Sequence, residues 1–147
     1  MTGVRLRILC IGNRYFTQED DIGPRVYDQL LRLPWPAATE VVDGGLGGLN
    51  LLAFFEGPER VVVVDTLSGM APDGEIAQLS GAQVACLSDD LYDHAAGLPY
   101  LLQWLPRVND GPLPDIVVVG TTAGAPPGVI EEIARICLAF AECPENG

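Results

Sequence analysis

Basic residues are scarce in this chain. Eight Lys and Arg face twenty Asp and Glu, for a formal charge of −12. So few cations argue against binding nucleic acid, whose phosphates need neutralising, and equally against an anionic membrane surface. A basic protein partner, or a cation held among carboxylates, is compatible with that balance. None of the four cysteines, Cys10, Cys86, Cys137 and Cys143, belongs to a CxxC pair, so no thiolate metal site is expected. Cys10 and Cys137 sit inside apolar runs and read as small buried hydrophobes. No stretch approaches the roughly 18 apolar residues that cross a bilayer. The first apolar run is too short for a signal peptide. A cytoplasmic, reduced protein with no membrane contact is the expectation. A GxSxG nucleophile elbow is missing, and His94 is the only histidine.

What remains is a globular composition, 48% hydrophobic and 19% charged, at a length that suits one domain over residues 1–147. Three runs read as strands buried on both faces: LRILCIG (6–12), RVVVVDT (60–66) and DIVVVGT (115–121). Each is short, rich in Val and Ile, non-alternating, and ends in Gly or a polar residue. ATEVVDG (38–44) is a weaker fourth. Helical spacing joins Val26, Leu30 and Leu33, then Leu98, Leu101, Leu102 and Leu105, and last Val129, Ile133, Ile136 and Phe140. A further helix is expected over roughly 48–56. EIAQL and AQVACL, in the mixed segment 73–90, suggest a short edge strand or two. The order predicts an α/β fold: one three-layer domain, phosphorylase/hydrolase-like, with a mostly parallel sheet and helices on both faces.

In open sheets of this kind, sites form outside the carboxyl ends of the strands. That rule selects Gly12-Asn13, Asp43-Gly44-Gly45, Asp65 and Thr121-Thr122. The acidic stretch TQEDDIGPRV, with Glu19, Asp20 and Asp21 in a row, leaves the first strand on the same rim. Asp65 closes four consecutive valines, where a carboxylate is costly to bury unless paired or coordinated; capping the next turn is the plainer explanation. A lone histidine such as His94 is more often a satisfied surface residue than a ligand. DGGLGGLNLL (43–52) lacks the GxGxxG spacing and follows the second strand, so a turn of close backbone approach is expected and a nucleotide is not. Carboxylates converging with one imidazole suit a borderline divalent cation such as nickel or zinc. Too few for a closed structural site, they would leave water or a partner's ligand to complete the shell.

Four motifs in order then carry a resemblance over nearly the whole chain: ILCIGNRYFTQEDDIG, DGGLGGLNLL, VVVVDT and HAAGL, followed by VVVGT before the last helix. In this series the chain resembles the maturation endopeptidases of nickel-iron hydrogenases, which trim a C-terminal peptide from the large subunit after nickel insertion. The resemblance implies metal-binding residues Asp20, Asp65 and His94, with nickel supplied by the substrate. It implies Asp43, Gly44 and Gly45 for substrate binding. Asp20 and Asp65 are the candidates for a catalytic carboxylate. It further implies the hydrogenase large-subunit precursor as partner, and a monomer. Counting back from Ile22-Gly23 selects Asp20 as the first ligand, and counting forward from Gly12-Asn13 selects Glu19. The acids not chosen read as favourable charge at a helix N-terminus. Two other readings stand beside this one: a nickel-binding assembly factor that does not cut, and a small-molecule-binding α/β domain.

The chain departs from the family pattern in three places. Asp21 stands where the family has a small residue, a substitution expected to crowd or repel at the site. Pro99 would cost a hydrogen bond in a helix already running through His94, so the helix is expected to start near Pro99. TTAGAPPG differs from the family's usual continuation after the last strand, which puts substrate contacts there in question.

Overall fold

The computed structural model describes residues 4–12, 21–45, 48–67, 74–86, 98–109 and 111–142, with only the backbone of 48, 49 and 100. In chain order these form β1 (Leu6–Ile11), α1 (Ile22–Leu30), β2 (Thr39–Gly45), a 3₁₀ segment (Gly48–Phe55), β3 (Arg60–Thr66), β4 (Ala77–Ser80), α2 (Gly81–Ala85), α3 (Leu98–Val108), β5 (Asp115–Thr121) and α4 (Pro127–Glu142). The sheet order is β2-β1-β3-β5-β4. The first four strands run parallel and β4 is an antiparallel edge.

Alternation along each strand sorts side chains into two cores. Ile8, Cys10, Val62, Val64 and Val119 pack with α1 and α4. Leu9, Val61, Val63 and Val118 pack with the 3₁₀ segment, α2 and α3. Burial on both faces is why these strands carry unbroken apolar runs. The single three-layer α/β domain expected from the element order is the one found.

Several elements differ in detail from the sequence expectation. The crossover at 48–56 is helical, but it winds as a 3₁₀ segment ending at Phe55. A 3₁₀ turn rises about 2.0 Å per residue against about 1.5 Å for an α-helix, so a short crossover reaches further along the strands. In the mixed segment, AQLS forms β4, whereas GAQVA forms α2. Ser80 decides that change. Its hydroxyl accepts the Gln83 N–H at 3.1 Å, and the Gln83 side chain accepts the Ser80 N–H at 2.8 Å, a capping box that starts a helix.

The buried stripe of α4 is Ile130, Ile133, Ala134, Cys137 and Ala141, while Val129, Ile136 and Phe140 flank it partly buried. Small residues at the centre let the helix settle close, and the larger ones fill the edges. α1 stops at Leu30, one turn before Leu33, and the Trp35 indole N–H donates to the Leu30 carbonyl at 2.8 Å. Among the described residues α3 runs from Leu98 to Val108, with Pro99 at its second described position. Among the described residues no helix is long and apolar enough to cross a membrane.

Candidate active site at the carboxyl ends of the strands

Chain connections leave β1 toward β2 on one side and continue from β3 toward β5 on the other. The carboxyl ends of β1 and β3 therefore border the topological switch point, where a crevice opens in sheets of this class. Asp65, the second-to-last residue of β3, lies at that point and is 1% exposed. Its Oδ1 accepts the Thr66 N–H at 2.7 Å. Asp65 is in register with Gly120 of β5, and a Cβ on Gly120 would stand 2.0 Å from the Asp65 carbonyl oxygen. Only glycine fits there.

The first turn of α1 is fitted onto the same rim. Thr66 Oγ1 accepts the Ile22 N–H at 3.4 Å. A Cβ on Gly23 would stand 2.0 Å from the Ile11 carbonyl oxygen, so the helix starts directly over the end of β1. The loops beyond β3 and β5 are tied together. Leu67 N–H donates to the Thr121 carbonyl at 2.9 Å, the Thr121 hydroxyl to the Glu75 carbonyl at 2.8 Å, and Gly74 N–H to Thr122 Oγ1 at 3.1 Å.

Asp21 is not a solvated acid. It is 4% exposed and stands at the N-cap of α1 without making a capping bond. Its Oδ1 accepts the Gly124 N–H at 3.1 Å, and its Oδ2 accepts from Arg25 Nη1 at 3.2 Å. Arg25 also donates to the Ala125 carbonyl at 2.7 Å. The crowding or repulsion expected of this acid is thus met by a partner guanidinium. Arg25, Thr66, Gly23 and Gly120 are the rim residues that sequence reasoning missed as such. Arg25 left a signal in its place four residues after Asp21 on a helix.

Asp43 is exposed, and its Oδ1 accepts the Gly45 N–H at 3.2 Å. The pairing of β1 with β2 skips Gly44, moving from Cys10–Asp43 to Ile11–Gly45. A Cβ on Gly44 would approach Leu9 Cδ1 to 2.9 Å and Leu51 Cδ2 to 3.0 Å, and Gly45 has a φ of +58°. Both glycines therefore serve a bulge at the strand end. β1 lies between Asp43 and Asp65, which puts about 10 Å between their strands at roughly 4.8 Å per step. Alternation also assigns them opposite faces: Asp43 follows Val42 of the α3-side core, and Asp65 follows Val64 of the α1-side core.

Asp20, Glu19 and His94 lie outside the described residues. Asp20 immediately precedes Asp21, and His94 stands four residues ahead of Leu98. Among the described residues no three His, Cys, Asp or Glu side chains gather as a metal cluster. Cys10 is not available as a thiolate near the rim: burial, then Cys137, Asp43, Asp28 and Asp65, push its thiol well above the ordinary range. Clefts of about 350 and 480 Å³ open at the opposite, amino end of the strands, around Arg60–Asp115 and around Glu59–Pro112. Fold topology and the buried carboxylate, not cleft size, make the rim the candidate site.

Several known proteins are similar to this chain in sequence pattern or in fold. The HycI hydrogenase maturation protease model matches residues 24–132. The hydrogenase maturating endopeptidase HybD from E. coli superposes with a TM-score of 0.75 at 25% identity, over 97% of this chain and 94% of that one. An endopeptidase from Escherichia coli gives 0.74 at 23% identity, over 97% and 94%. The nickel-iron hydrogenase maturation protease HycI from Thermococcus kodakarensis gives 0.67 at 21%, over 95% and 91%. The last two bear on the fold alone. No protein of curated function is significantly similar in sequence. The chain belongs to the hydrogenase maturation protease family, a family of peptidases.

Proposed function

We propose that this chain is an endopeptidase that removes a C-terminal peptide from a nickel-loaded hydrogenase large-subunit precursor. It recognises the bound nickel through Asp20, Asp65 and His94. The observation that carries the reading is Asp65: a carboxylate buried at the switch point of a fold shared with hydrogenase maturation proteases. Burying a carboxylate is costly, and the Thr66 N–H together with a cation brought by the substrate offsets that cost. Carboxylates with one imidazole form a donor set suited to nickel, which stays cargo of the precursor.

Connectivity supports the other two residues. Asp20 immediately precedes Asp21, which is fixed at the start of α1, and His94 stands four residues ahead of Leu98, which lies in α3 on the Asp65 side of the sheet. Asp43, Gly44 and Gly45 fit peptide binding better than metal binding. β2 is an outer strand that pairs only with β1 among the described residues, and an extended peptide adds to such an edge. The protein acts as a monomer in the cytoplasm, without a nucleotide.

Cleavage of nickel-loaded precursor, followed by intact mass, tests this. Asp65→Asn, His94→Ala and Asp20→Asn are each expected to lower kcat/KM by about 10²-fold or more, as for loss of a ligating group. Equal cutting of nickel-free precursor, or normal cutting by all three variants, would sink the proposal. A greater loss for Glu19→Gln than for Asp20→Asn would move the first ligand by one residue. Nickel capture without cleavage would make the chain an assembly factor instead.

A further inference from the structure

Asp21 and Arg25 join two parts of the rim that are 103 residues apart in the chain. One is the start of α1, already tied to β3 by the bond from Ile22 N–H to Thr66. The other is the loop between β5 and α4, held at Gly124 N–H by Asp21 and at the Ala125 carbonyl by Arg25. Both side-chain bonds involve a charged partner, and such bonds are short, directional and stronger than neutral ones. The Asp21 side chain reaches away from the N–H groups of its own helix to make them. The result is a strap over the carboxyl end of β3 on its α1 side, so the approach to Asp65 is left to the α3 side.

We infer that Asp21 and Arg25 are positioning residues of the peptidase site. They hold the β5–α4 loop, residues 122–126, against the start of α1, and so set how well the precursor's C-terminal segment seats beside Asp65. This rests on the function proposed above. It explains why an acid is tolerated at position 21, since its charge is used within the protein and matched by Arg25. Neither residue touches the scissile bond, so their effect falls on binding of the precursor more than on the chemical step.

The test is steady-state cleavage of nickel-loaded precursor by wild type, Asp21→Ala, Asp21→Asn, Arg25→Ala and the Asp21→Ala/Arg25→Ala pair. Folding of each is checked by circular dichroism. Asp21→Ala is expected to raise KM about tenfold, the scale of one charge-assisted hydrogen bond, with kcat within about twofold. Asp21→Asn, whose amide oxygen still accepts the Gly124 N–H, should recover part of that loss. The double variant should be less impaired than the product of the single effects, because the two residues share one network. Folded Asp21→Ala with wild-type KM would overturn the inference and leave the proposed function standing. So would a loss that falls wholly on kcat, or one that Asp21→Asn does not relieve. A wild-type protein that never cuts would overturn both, and that result is read before any variant.

Discussion

Gly120 and Asp65 face each other across the β3–β5 ladder so closely that a Cβ at position 120 would meet the Asp65 carbonyl oxygen at 2.0 Å. The same Cβ would meet Leu67 Cγ at 2.9 Å. Backbone cannot give way as a flexible side-chain tip does, so the ladder itself must move. Gly120→Ala is expected to destabilise the fold by about 1–3 kcal/mol, as overpacking commonly does. It should also lower precursor cleavage more than the folded fraction explains, because the displaced strand carries Asp65. Thermal melting beside a cleavage assay on the folded protein checks both; unchanged melting would refute the crowding argument.

Arg60 provides the contrasting case at the other end of the strands. Its guanidinium bonds to Asp115 at 2.9 Å and lies 5.4 Å from the Phe140 ring, while its Nε is buried without a hydrogen-bond partner among the described residues. The unpaired Nε offsets what the ion pair contributes, and Asp115 is exposed enough to be rehydrated. Arg60→Met keeps the packed stem and removes that buried donor. Stability is expected to change by less than about 1 kcal/mol, with precursor cleavage untouched. A loss above about 3 kcal/mol in chemical denaturation would show that the ion pair is a main support of this end.

Burial raises the Cys137 thiol from its usual 9.0 to about 12. The folded protein therefore holds the proton after the unfolded chain has released it. Stability is intact below pH 9 and falls as pH rises from 9 toward 12, by about 1.4 kcal/mol per unit from this group at most. Cys137→Ala removes the titration, so the slope of stability against pH over that range should flatten even though the variant is less stable at pH 7. Denaturant titrations at a series of pH values read the slope directly. Cys86, exposed, should react with a thiol reagent in the native state while Cys10 and Cys137 do not.

The strands were the most legible part of the sequence because burial on both faces leaves an unbroken run of Val and Ile, as in VVVV before Asp65. What escaped depended on packing partners or on long-range bonds. The stripe of α4 shifted toward Ala134 and Ala141 because the helix needed small residues at its closest approach. Asp43 and Asp65 both ended strands, but the order β2-β1-β3 that separates them is not written in either segment. The strut from Asp21 to Gly124 is set by tertiary folding, so the acidic run could be placed on the rim without the internal use of its last member being foreseen.

The strand order also sets a timetable for a chain made from its N-terminus. β1, β2 and β3 are complete by Thr66, so these three adjacent strands can pair while β5 is still unmade. At roughly 5–20 residues per second, several seconds separate the synthesis of Asp65 from that of its register partner Gly120. During that interval β3 lacks its second neighbour, Leu67 lacks the Thr121 carbonyl, and Asp21 lacks Gly124. The rim thus closes only after β5 and Gly124 are made, and a nascent chain can hold three strands of its sheet before it holds a peptidase site.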